Sequence, residues 1–200
     1  RQRQSKRYWG HHRVWFLSPN SFAYGANKGV GTNPEAVQKL LSGIRHVFPK
    51  EKGEIFFGDF PSEVRPEYVT KEMMEAVHPY INNKYFTVGA QTASELLLKK
   101  INRGHTFEDV RRAIDLINDY GYGADVDFIF GLPGETQEDV AITLDYFKEV
   151  LKGSKTIRIH THTFMPLPGT PYANEPVGHI SSEIEEMIGN LTSHNKAFGQ

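Results

Sequence analysis

Val126-Asp127-Phe128-Ile129-Phe130-Gly131-Leu132-Pro133-Gly134-Glu135-Thr136 packs a strand, a turn and a helix start into one short run. Apart from Asp127, its first residues are β-branched or aromatic, the composition of a buried strand. Gly131, Pro133 and Gly134 stop that strand. Thr136 is placed to cap an amphipathic helix reaching about Leu151. The same order recurs on both sides. Downstream, a strand from Thr156 to Thr163 closes at Pro166-Leu167-Pro168-Gly169-Thr170-Pro171, and a helix follows from Ser181 to His194. Upstream, strands are expected at Val14–Leu17, Gly53–Phe57 and Tyr85–Val88. Helices are expected from Pro34 (capped by Asn33), over Thr70–His78, over Glu95–Lys100 and over Phe107–Tyr120, the last opened by Thr106 and Asp109 as a near capping box.

Five β units in succession specify an α/β fold with parallel strands, either a doubly wound sheet or part of a (β/α) barrel. No G-x-x-x-x-G-K-[ST] and no G-x-G-x-x-G after a strand occurs, so the barrel is favoured. The chain has 200 residues, 38 % apolar and 24 % charged, which suits one soluble globular domain. A net charge of −1 gives no global field to attract nucleic acid or anionic lipid. No apolar run is long enough to span a bilayer. The dense basic stretch from Arg1 to Arg13 reads as a solvated face or exposed end before it reads as a binding arm. There is no cysteine, which removes disulfides, thiolate metal sites and cysteine nucleophiles from these residues. A cytoplasmic location is the default expectation.

In a parallel barrel the loops after the strands share one rim, where active sites are built. Here those loops are polar: Ser18-Pro19-Asn20-Ser21, Asp59 to Glu63, Gly89 to Ser94, Gly131 to Glu135 and Met165 to Pro171. Convergence of all five points to a site for a polar small molecule.

Four segments carry a more specific signal: Val88-Gly89-Ala90-Gln91-Thr92-Ala93-Ser94, Arg103-Gly104-His105-Thr106, Asp127 to Thr136, and Pro166 to Pro171. In this order they resemble the radical S-adenosylmethionine (SAM) superfamily, in particular the branch of methylthiotransferases and their cobalamin-linked relatives. The resemblance implies a partial (β/α)6 TIM-type barrel with parallel strands and SAM across its rim. It also implies a [4Fe–4S] cluster held by a C-x-x-x-C-x-x-C loop after the first strand, an electron donor for that cluster, and in some relatives cobalamin on a separate domain. The cluster cleaves SAM to a 5′-deoxyadenosyl radical that takes hydrogen from a substrate. This chain departs from that pattern, because it has no cysteine. Strand counting makes the first strand and its cluster loop the missing piece. Residues 1–200 are therefore expected to be one barrel domain, truncated at the N-terminus and also at the C-terminus, and inactive alone.

The resemblance also assigns residues. Ser18, Asn20 and Ser21 correspond to the polar loop near the SAM amino group, or form an ordinary turn. Glu63 and Arg65 correspond to a pair meeting the amino or carboxylate group, or form a surface ion pair. Gln91 and Ser94 match the loop bonding the ribose; Ser94 is otherwise a helix cap. Arg103 can clamp the carboxylate through its planar fork, or brace Gly104. Gly131, Gly134 and Glu135 match the rim against adenine, or turn the chain and start a helix. Asp127 is expected inside the barrel. His160 and His162 share one strand face by alternation. Their H-x-H spacing raises an alternative, a metal-dependent hydrolase with Asp127 as a further ligand, although barrel-lining histidines near the pocket are the preferred reading. A non-catalytic degenerate barrel is the third.

Overall fold

The computed structural model describes residues 12–198. Its strands are β1 (His12–Trp15), β2 (Gly53–Phe56), β3 (Tyr85–Gln91), β4 (Gly123–Phe130), β5 (Ile157–Thr163) and β6 (Ala197–Phe198). Its helices are α1 (Pro34–Val47), α2 (Lys71–Val77), α3 (Glu95–Lys100), α4 (Phe107–Asp119), α5 (Gln137–Gly153) and α6 (Ser182–Ser193). Every strand pairing is parallel, in ladders ordered β1-β2 and β3-β4-β5-β6. The chain after β2 joins the two ladders. The Val64 N–H donates to the Thr87 carbonyl at 2.8 Å, and the Gly89 N–H donates to the Val64 carbonyl at 3.1 Å. The result is an open arrangement of parallel strands with helices packed against it, the partial-barrel alternative of the two that the β/α order allowed.

Capping fixes where the helices begin. Thr106 and Thr136 each accept from the backbone N–H of the third helical residue, and Asp109 and Asp139 reach back to the cap N–H. Each such cap is worth about 1 kcal/mol. Phe128 and Phe130 of β4 meet Phe147 of α5 edge-on at 4.9 and 6.0 Å between ring centres. Phe107 of α4 meets Tyr146 of α5 at 4.9 Å, so both helices bury their apolar stripes against β4.

Several boundaries differ from expectation. β1 runs His12–Trp15 instead of Val14–Leu17, because its ladder with Gly53–Phe56 ends at Trp15. Beyond it, the Ser62 hydroxyl donates to the Phe16 carbonyl and accepts from the Ser18 N–H at 3.0 Å, drawing the chain out of the ladder. β4 starts at Gly123, three residues before Val126, since Gly123 and Ala124 already pair with Tyr85 and Phe86. β6 was not expected; two residues carry no periodicity, and only their pairing to Ile159 and His160 defines them. Arg1, Arg3, Lys6, Arg7 and His11 lie outside the described residues, whereas Arg13 pairs with Glu54 at 2.8 Å.

Truncating Phe128, which is wholly buried between α5 and the sheet, leaves a cavity with little room to collapse. Phe128→Ala is expected to lower unfolding free energy by about 3–5 kcal/mol. Lys148→Ala, which breaks an exposed pair with Asp145, is expected to leave the unfolding free energy nearly unchanged. Urea denaturation of both variants checks the contrast.

Candidate functional site

Strand alternation builds the site. Along β4, Val126, Phe128 and Phe130 face the helices, so Asp125 and Asp127 face inward. Register sets Asp125 beside Arg158 and Asp127 beside His160 on β5, with His162 two residues further along the same face. Arg158 grips Asp125 through two bonds of 2.7 Å and stacks over the Tyr85 ring at 3.7 Å. His160 Nδ1 lies 2.9 Å from Asp127 Oδ1, and His162 Nε2 lies 3.7 Å from Oδ2. The two imidazoles meet edge-to-face at 4.2 Å.

Above this wall opens a cavity of about 530 Å³, lined by Leu17, Ser18, Phe60, Glu63, Asp127 and His162 among others. The buried Thr87 hydroxyl also lines it and has no hydrogen-bond partner among the described residues. Beside the cavity, Glu63 takes a bond from Arg103 at 3.3 Å and one from the Gln91 side chain. This cluster exists because residue 89 is glycine. A Cβ there would lie 2.6 Å from Glu63 Oε2, 2.7 Å from Gln91 Nε2 and 2.9 Å from an Arg103 terminal nitrogen. The bulge at Gly89/Gln91, with Gln91 at φ 70°, turns the Gln91 side chain toward Glu63.

The environment sets the charges. Burial pushes the Glu63 carboxyl up, against the pull of Arg103. Burial also works against ionised Asp127, but the bonds from His160 and His162 outweigh it and hold this carboxyl below its usual value. The Asp127 bond raises His162. Burial lifts Glu135 to about 7, although its carboxylate accepts from the Gly131 N–H at 2.6 Å. His105, buried with a ring nitrogen 3.3 Å from the Ala90 carbonyl, falls to about 4 through desolvation and then the Arg103 charge.

Ser18, Glu63, Gln91, Arg103 and Asp127 are thus gathered at or beside one cavity. Arg65 stands a step behind, bonding the Arg103 carbonyl and pairing with Glu67 at 2.5 Å. Asn20 accepts from the Arg65 N–H at 3.3 Å, and Ser21 is buried with its N–H on the Glu63 carbonyl at 2.9 Å. Ser94 is fully buried and caps α3 by accepting from Leu97, while its hydroxyl donates to Asp139. The close approach that Gly131 allows is used by the chain itself, since a Cβ there would lie 2.5 Å from Gly178 Cα. Gly134 packs beneath Lys100, whose ammonium bonds its carbonyl at 3.0 Å. Gly131 and Glu135 line a separate hollow of about 200 Å³ with His179 and Ser181. Asp125, Arg158, Thr87 and Ser62 are site neighbours that motif reading passed over. The period-two step back from Asp127 and from His160 would have found the first two.

The sequence profile of the radical SAM superfamily matches residues 29–147. The chain belongs to the radical SAM superfamily. It is 26 % identical over 200 aligned residues to a threonylcarbamoyladenosine tRNA methylthiotransferase of Xenopus laevis, covering 94 % of this chain and 33 % of that protein. It is 38 % identical over 120 residues to a tRNA-2-methylthio-N(6)-dimethylallyladenosine synthase of Jannaschia sp. (strain CCS1), covering 56 % of this chain and 25 % of that protein. Among solved structures, the radical SAM enzyme coproporphyrinogen III oxidase (HemN) of Escherichia coli superposes with a TM-score of 0.60 at 20 % identity, covering 80 % of this chain and 37 % of that one. The chain spans about a quarter to a third of the length of these curated relatives. Membership in this family leaves the hydrolase and scaffold readings without support. Among the described residues, no helix is long and apolar enough to cross a membrane.

The SAM and [4Fe–4S] cluster of this superfamily fit the chain unequally. The cavity's volume lies within the few hundred to about 1,000 Å³ usual for small-molecule sites. Its donor set, with the orphaned Thr87 hydroxyl, suits a zwitterionic ligand. No residue here offers a thiolate, so the cluster has no ligands within the chain.

Two expectations follow. Gly89→Ala pushes Glu63, Gln91 and Arg103 apart, and a lowered thermal midpoint together with loss of small-ligand binding is expected. His105 supplies the pH test. Between pH 6.5 and about 4 the unfolded chain takes up a proton that the folded chain refuses, so His105 makes stability fall as pH falls through that window. Glu135 acts with the opposite sign, its contribution being lost as pH rises toward about 7. Thermal midpoints across this range should therefore show His105→Gln losing less stability on acidification than the parent chain.

Proposed function

We propose that this chain is the SAM-holding barrel of a radical SAM enzyme, and that the cavity beside Glu63 and Asp127 receives SAM. The carrying observation is the pairing of Glu63 with Arg103 at the edge of a cavity of about 530 Å³ at the strands' carboxyl ends. Opposite charges side by side suit the α-ammonium and α-carboxylate of one amino acid, with Arg103 offering its fork to the carboxylate. Gln91, bonded to Glu63, has an amide that both donates and accepts, as ribose hydroxyls require. Leu17, Pro19, Phe60 and Pro61 give the cavity apolar walls that exclude water from a bound adenosyl group. Ser94 acts here through the start of α3, holding the Gln91 loop against Asp139, and is a positioning residue.

In this superfamily the bound cofactors supply a 5′-deoxyadenosyl radical, and the protein supplies orientation and dryness. The thiolates for a cluster, an electron donor, the substrate and any cobalamin domain belong to the whole enzyme.

Isothermal titration of the chain with SAM tests the reading. Glu63→Gln and Arg103→Ala are each expected to weaken SAM binding roughly tenfold or more, the scale of a lost charge-assisted hydrogen bond. Affinity unchanged in both variants would falsify the assignment. For the polypeptide that joins this barrel to a cysteine triplet, anaerobic iron and sulfide analysis with an assay for 5′-deoxyadenosine checks the chemistry.

A further inference from the structure

We infer that Asp127, His160 and His162 form a site for one divalent transition-metal ion on the inner wall of the barrel, a site that needs no thiolate and is distinct from the [4Fe–4S] centre of the superfamily. One donor atom from each residue lies within 4.8 Å of the others. Backbone pairing fixes two of the three: Asp127 and His160 are partners in the β4–β5 ladder, and His162 follows on the same face. A set anchored on adjacent strands is already organised, so little ordering remains when an ion enters.

Metal–ligand bonds of about 2.0–2.2 Å put tetrahedral donors roughly 3.3–3.6 Å apart. His160 Nδ1 lies 2.9 Å from Asp127 Oδ1 and His162 Nε2 3.7 Å from Asp127 Oδ2, separations on either side of that spacing, and an ion would draw the three donors together by small side-chain adjustments. Two imidazoles and one carboxylate select borderline ions such as zinc, cobalt, nickel or ferrous iron over calcium and magnesium, which take oxygen ligands.

The surroundings match. Asp127 and His160 are buried, so their donor atoms are shielded on the protein side, while His162 is half exposed at the cavity. Both Asp127 and His162 border that cavity, which leaves the remaining coordination positions open to water or to an oxygen or nitrogen of a bound molecule. The nearby guanidinium groups have carboxylates of their own: Arg158 bonds Asp125 and Arg103 bonds Glu63, so the Asp127 charge is shared with the imidazoles. Phe60 packs edge-on against His160 at 5.8 Å and limits ring rotation. The competing arrangement is a hydrogen-bonded Asp–His–His trio that takes no ion.

The test uses the whole chain, stripped with a chelator, dialysed against zinc and assayed for retained metal, with a parallel titration by cobalt read through its d–d absorption. One equivalent of zinc retained, and a cobalt spectrum of nitrogen and oxygen ligation, is the expected result. His162→Gln, at a half-exposed position, should fold and weaken cobalt binding roughly tenfold or more. The His160→Gln/His162→Gln double variant should retain none, and His194→Gln, on the exposed end of α6, should behave as the parent. A parent chain that retains no metal, or a double variant that retains a full equivalent, overturns the site. Both readings are of the metal alone, so they stand or fall separately from SAM binding.

Discussion

A residue on β4 can face only inward or outward, and its backbone is paired on both sides by β3 and β5. That constraint governs the rest of the molecule. Once Phe128 and Phe130 are driven against α5, Asp125 and Asp127 must point into the barrel, where burial makes an unpaired carboxylate costly. The same register delivers the relief: Arg158 arrives opposite Asp125 and His160 opposite Asp127. Core packing on one face of the sheet therefore dictates the polar chemistry on the other.

At the rim, close approach replaces register. Glu63 comes from the chain after β2, Gln91 from the end of β3 and Arg103 from the loop after α3, and they meet over the bare Cα of Gly89. The loops are tied by backbone bonds, Ser21 to the Glu63 carbonyl and Gly89 to the Val64 carbonyl, so the cluster is held from beneath. Ser62, with one hydroxyl serving Phe16 and Ser18, ends β1 and starts the cavity wall. Charge placement follows from burial and partners: desolvation raises Glu63 against the pull of Arg103, two imidazoles hold Asp127 down, and desolvation lifts Glu135 to about 7 against the Gly131 N–H.

The family-like segments do two kinds of work. Gln91, Arg103 and Asp127 stand beside the cavity, whereas Ser94, Gly131 and Gly134 support the scaffold. Ser94 and Thr136 converge on the same Asp139, which ties the start of α3 to the start of α5 across the β4 loop. Gly131 admits the Gly178–His179 backbone, pinning the segment before α6 to the top of β4. A motif defined by sequence thus mixes residues that stand at the cavity with residues that hold its loops.

The sequence by itself determined the alternation of strands and helices, because apolar period and capping chemistry act over a few residues. Thr106, Thr136 and Asn33 mark their helices as the structure has them. It also determined that His160 and His162 share a face, since strand geometry has period two. Tertiary structure alone decided what pairs across distance. The shift of β1 to His12–Trp15 depends on Ser62, 46 residues beyond Phe16. β6 exists only through its pairing with β5. That the Ser94 hydroxyl bonds Asp139, 45 residues away, as well as capping its own helix is likewise visible only in the folded chain. Short-range propensity cannot encode such choices, because each is fixed by which surfaces the folded chain brings within bonding distance.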